Sequence, residues 1–253
     1  MKPFVKEGSI VRTIWGRGDT VLLIFAGASA EFALNKSVDW LYFTGKLPAD
    51  PLGRLFSTVA YAQRIVFAEE ERALMAIDNI TAIHKGVEEK RGAVIPATAY
   101  LDVLFLLIGY SISAYELLER PLRLEEKAEV FDVFGRVGLR MGLVDLPPNY
   151  TEWEARRAQY LRVNLESSAY SRDLYQRYRQ SLGWVRYRLL LQVQVLLVPE
   201  PVRRLLGLAA FPWLYPVVLL YRLCHFLHLD KSIKIVLLPP RYRTQVFGLD
   251  IVS

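Results

Sequence analysis

The chain has 253 residues, 53% of them hydrophobic, a formal charge of +6 and a single cysteine, Cys224. That is too apolar for a disordered chain, and it leaves no internal disulfide and no cysteine zinc cluster. The basic residues, densest at Arg156–Arg157–Arg162, Arg172–Arg177–Arg179 and Arg203–Arg204, are spread along the chain. They form no concentrated stripe of the kind that reads nucleic acid.

With no linker in view, this length suggests one large domain with a substantial core. The basic side chains are expected on a solvated surface, with attraction to anionic lipid headgroups as the alternative. One cysteine fits a reducing compartment. The opening "MKPFVKEGSIVRTIWGRGD" has no apolar run of the signal-peptide kind. The expectation is a cytoplasmic protein that either stays in solution or touches a membrane surface.

Helical spacing dominates the chain. Residues 20–43 read as one helix or two, closed by the turn "GKLPADPLGR". Residues 52–67 follow, with Leu55, Val59, Ala62 and Val66 on one face. The next helix spans 69–89, with Glu69, Glu70 and Glu71 suiting the positive end of its dipole. Gly92 to Pro96 breaks it. Residues 98–118, strongly apolar, read as the central buried helix, which Pro121 ends. An amphipathic helix over 124–141 leads to the loop "GLVDLPPNY". Thr151 with Glu154 three later reads as a capping box. Helices over 172–181 and 184–198 follow, and Pro199 and Pro201 open a greasier tail.

Only "KIVLL" at 234–238 suggests a strand, so the class is all-α. Residues 205–221 carry no charge, which is short for a bilayer span. Pro212 and Pro216 interrupt the run, and Trp213 and Tyr215 sit at its middle. It reads as a buried or interfacial helix, and 205–253 as a hydrophobic helical extension on a domain of residues 1–204.

Familiar catalytic motifs are missing: no P-loop, no G-x-S-x-G and no H-E-x-x-H. Three histidines remain. His225 and His228, beside Cys224, share a helical face but lack a nearby carboxylate, so they read as structural. His84 differs, because Ile77, Ile80 and Val87 place it within an apolar stripe. A core imidazole must satisfy both nitrogens or give one to a partner. It is either a satisfied core histidine or an axial ligand to haem iron. Upstream, Arg54 and Thr58 share a helical face, with Tyr61 a turn on. They are surface and filler residues, or an anchor for a propionate and a small distal hydroxyl.

The string "DPLGRLFSTVAYAQRIVFAEEERALMAIDNITAIHKGV" resembles the signature of the MpaB-type oxygenase family, which includes the latex-clearing rubber oxygenases. Asp50, Pro51, Gly53, Arg54, Thr58, Phe67, His84 and Val87 carry it, and Pro199 and Arg203 look like a later family segment. The resemblance covers residues 9–205. It implies a globin-like helical core holding haem b, with His84 as the proximal iron ligand and Arg54 and Thr58 beside the haem as cofactor-binding and catalytic residues. It implies dioxygen-dependent cleavage of a C=C bond in an apolar, isoprenoid-like substrate. Ser57 stands where rubber oxygenases carry a lysine, so the resemblance implies a distal side that is open or water-bound. Asp39 and Asp50 are candidate bases by proximity, and Leu104, Phe105, Leu107 and Ile108 a candidate substrate lining. The alternative is a cofactor-free peripheral membrane or lipid-binding protein derived from that fold.

Overall fold

A computed structural model describes residues 2–44, 49–209 and 211–226, without the side chains of 41, 51, 52, 54–56 and 223–226. Helices follow one another throughout: α1 Ile10–Trp15, α2 Gly18–Phe32, α3 Asp39–Phe43, α4 Pro51–Val66, α5 Glu70–Arg91, α6 Ala97–Leu118, α7 Leu124–Arg140, α8 Tyr150–Val163, α9 Ala169–Leu197, α10 Glu200–Leu205 and α11 Tyr215–Phe226. Two isolated bridges, Pro3 to Glu69 and Asn35 to Leu165, are the only extended pairings among the described residues. The all-α expectation holds, and "KIVLL" lies outside the described residues.

The centre is α6 against α2. Nearly all of α6 is apolar, and Leu101, Phe105, Ile108 and Tyr110 are buried along it. It is the one described helix long and apolar enough to cross a bilayer, and two-thirds of that window is covered by the protein's own helices. α7, α9 and α1 complete the wrapping. Trp15 of α1 is fully buried between Phe25 and Phe134, and its indole N–H donates to Ser111 Oγ at 3.1 Å.

The sequence boundaries for α4, α5, α6 and α7 hold to within two residues. Residues 20–43 form two helices, α2 and α3. The helix expected to open at Thr151 opens earlier, capped by Asn149, whose side chain accepts from Glu152 N at 2.9 Å and donates back to its carboxylate at 3.1 Å. Asn149 and Glu152 repeat the cap-plus-acid spacing two residues upstream, and the structure uses that copy. The two helices expected either side of 182–183 form one run, α9, with its break at Gly183 (φ 73°, ψ 171°). Residues 205–221 are not one helix. Gly207 takes a left-handed φ of 61° after α10, and a new helix begins only at Tyr215, with Pro216 in its first turn.

At the start of α7, Glu126 accepts from both arms of the Arg120 guanidinium at 2.7 and 2.8 Å and from Arg123 N at 2.8 Å. Those donors, the Arg120 fork foremost, pull its carboxyl from the usual 4.5 down to about 2. A depressed folded-state pKa stabilises above the unfolded value, and the gain is lost as pH falls from about 4.5 toward 2. Glu126→Gln is therefore expected to flatten this part of the acid limb when urea midpoints are measured across that window. An unchanged limb would refute the assignment.

Candidate functional site

The motif carrying Asp50 and Arg54 is a helix start. Asp50 caps α4, accepting from Gly53 N at 3.0 Å, and Pro51 supplies the first-turn geometry. A Cβ on Gly53 would sit 2.2 Å from the Asp50 carboxylate, so the cap requires glycine there. This gives Asp-Pro-x-Gly a structural reason of its own. Asp50 is committed to the cap rather than placed as a base.

α4 and α5 pack together through a three-residue connection, which makes them antiparallel neighbours. Arg54 lies twelve residues before the end of α4, and His84 fourteen after the start of α5. At a ~1.5 Å rise these are roughly 18 and 21 Å along their helices, so the two backbones reach the same level of the hairpin. Thr58, half-buried beside the buried Val59, lies one turn nearer the connection. The Arg54 side chain lies outside the described residues.

His84 is half-buried, and its Nδ1 is sealed from solvent. Its ring meets Tyr100 of α6 edge-on, 5.2 Å between centroids. Burial, and next the Glu88 carboxylate that the Tyr100 hydroxyl faces, push the Tyr100 phenol up to about 12, so it stays a neutral donor. Glu88 also accepts from Ile95 N at 2.8 Å, tying the α5–α6 turn to the same group. Around the imidazole the apolar face stays partly open: Ile80, Val87 and Leu107 are half-buried, and Ile83 and Val103 are exposed.

Other expected residues fall elsewhere. Asp39 is held at 2.6 Å by Arg91, whose guanidinium also stacks 3.9 Å from the Trp40 ring centroid. Leu104, Phe105 and Ile108 are core fill rather than lining: Phe105 packs between Trp153 and Tyr160, and Leu104 lies against Gly138. The side chain of His225, and His228 as a whole, lie outside the described residues. Among the described residues no three His, Cys, Asp or Glu side chains gather as a metal-ion site. Only the fold of the α5–α6 turn brings Tyr100 to His84, whereas Glu88, four residues after His84 within α5, shares its helical face by spacing alone.

The donor set fits a macrocycle better than a bare ion. A porphyrin needs one axial nitrogen from the protein and an apolar surround. His84 offers an imidazole with one nitrogen turned inward, on an apolar face that the described helices leave partly uncovered.

A family model described as "ER-bound oxygenase mpaB/B'/Rubber oxygenase, catalytic domain" matches residues 14–229. No curated protein and no solved structure matches the chain.

Proposed function

The chain belongs to the mpaB/rubber oxygenase catalytic-domain family, and on that premise we propose that it is a haem b-dependent oxygenase. In this reading it cleaves a C=C bond of an apolar, isoprenoid-like substrate with dioxygen. The observation that carries the reading is His84: an imidazole on a partly open apolar face, level with the Arg54 motif.

His84 Nε2 would hold the iron, leaving the inward Nδ1 to the protein, where a fixed tautomer keeps the ring's orientation. Arg54 would answer a propionate. Thr58 would set a small hydroxyl near the distal side. When bound, the haem supplies dioxygen activation, and the chain orients the substrate and excludes water. Desolvation of an apolar chain favours its entry at about 25 cal/mol per Å² buried.

We further propose that residues 205–253 extend the oxygenase-like domain of residues 1–204. The packing of α11 on α6 supports this, as does the Tyr221 hydroxyl, which donates to Asp19 at 2.6 Å. Phe211, Trp213, Val217 and Leu220 stay exposed, which favours contact with a membrane surface.

The test is haem titration of the purified chain. A Soret band is expected, lost in His84→Ala, restored in that variant by added imidazole and kept in His228→Ala. Squalene incubated aerobically with the loaded protein should yield carbonyl fragments. A chain that takes up no haem, or that keeps its spectrum without His84, overturns the reading.

A further inference from the structure

A cleft against α9 holds a chemistry unrelated to His84. Its volume is about 940 Å³, in the range of small-molecule sites, roughly 300–1,000 Å³. Both halves of α9, residues 205–209, Phe211 and Trp213 line it. Gly183 makes this possible by breaking α9 so that its second half folds back, a packing that the Tyr175 hydroxyl closes by donating to Gln194 Oε1 at 2.9 Å.

Trp184, Arg188, Gln192 and Val195 recur every three or four residues and so share one face of the second half of α9. The Arg188 guanidinium lies 5.8 Å from the Trp184 ring centroid. Arg172 lines the cleft from the first half. Among the described residues no Asp or Glu lines it and neither arginine forms an ion pair. Two uncompensated cations over an apolar trough suit an anion joined to a chain.

Gln192 adds a separate observation. It is 9% exposed, and its side-chain oxygen is sealed from solvent with no donor facing it. Buried acceptors are nearly always answered. At the mouth, Trp184 and Phe211 stand 64% and 75% exposed.

We propose that this cleft binds a single-chain amphiphile, taken up as a monomer, whose anionic head carries a neighbouring hydroxyl. The chain lies along the aromatic and aliphatic wall. The anion meets Arg172 and Arg188, and the hydroxyl donates to Gln192 Oε1 after a small rotation of the amide.

The probe is 1-oleoyl-lysophosphatidate, titrated calorimetrically into the full chain below its micellar concentration. One saturable site is expected. Lysophosphatidylcholine, which keeps the chain and hydroxyl but neutralises the head, and the deoxy analogue of the probe should each bind about tenfold more weakly, the loss of one charge-assisted or buried hydrogen bond. Arg188→Gln, at an exposed position, should lower the lysophosphatidate-to-lysophosphatidylcholine ratio, and Arg172→Gln/Arg188→Gln should bring it close to one. Gln192→Leu should remove the preference over the deoxy analogue. His84→Ala should bind the probe unchanged, which separates this site from the haem reading. No saturable heat, equal binding of the two head groups, heat only with phosphatidate-containing vesicles, an Arg188→Gln chain that binds like the parent, or loss of binding in His84→Ala would each overturn the assignment.

Discussion

Replacing Arg157 with methionine should destabilise the protein by about 3–5 kcal/mol, the cost of leaving one partner of a buried ion pair alone. Glu31 of α2 is 3% exposed and Arg157 of α8 is 9% exposed. The guanidinium meets both carboxylate oxygens at 2.5 Å, a two-pronged arrangement, and the Tyr110 hydroxyl donates to the same carboxylate at 3.0 Å. Gly109 keeps the path clear: a Cβ there would come 3.2 Å from Arg157 Nε.

Without Arg157 a carboxylate is stranded in the core with a single neutral donor. The double variant Glu31→Leu/Arg157→Met should recover most of the loss, since replacing a whole buried pair with apolar groups is often close to neutral. Urea unfolding with unchanged m-values reads both effects. A single variant losing under about 1 kcal/mol would show the pair to be solvated, contrary to its burial.

Gly27→Ala should cost about 1–3 kcal/mol through overpacking. A Cβ at Gly27 would lie 2.3 and 2.4 Å from two carbons of the Tyr110 ring. That ring cannot retreat, because it is 1% exposed and its hydroxyl is tied to Glu31. The strain therefore passes into the α2–α6 contact at the centre of the fold. Gly86→Ala is the control. Gly86 lies within α5 with open space where its Cβ would go, so alanine there should stabilise by about 0.5–1 kcal/mol. Matching effects at the two glycines would refute the packing argument. Combining Gly27→Ala with Tyr110→Leu should relieve the clash and make the two changes non-additive.

Much of the helical order was legible in the chain, because α4 opens on an Asp cap and a proline, α5 ends at Gly92 and α7 is capped by Met141, directly before Gly142. α6 was legible because it is apolar nearly all round. Misplaced boundaries have local causes. Asn149 and Thr151 both offer a cap with an acid three residues on, and nothing local chooses between them. The charge-free run 205–221 reads as one helix, while Gly207 ends α10 and a new helix starts only at Tyr215.

For the site, the spacing of Ile77, Ile80, His84 and Val87 marked the imidazole, and "DPLGR" marked the start of α4. The lining expected from Leu104, Phe105 and Ile108 was not legible, because an apolar helix face looks the same whether it meets a ligand or Trp153 and Tyr160. Glu31 carried a faint signal as the one carboxylate in "IFAGASAEFAL". Its partner, 126 residues away, carried none.

The sequence by itself determined the all-α class, the position of His84 on an apolar helical stripe and the capped turn before Arg54, since periodicity and capping act within a few residues. The tertiary structure alone decided that Arg157 answers Glu31, that Tyr100 meets His84, and that the kink at Gly183 opens a cleft lined by two arginines and, among the described residues, no acid. Those pairings join residues far apart in the chain, and they depend on how whole helices pack, which no short window of residues encodes.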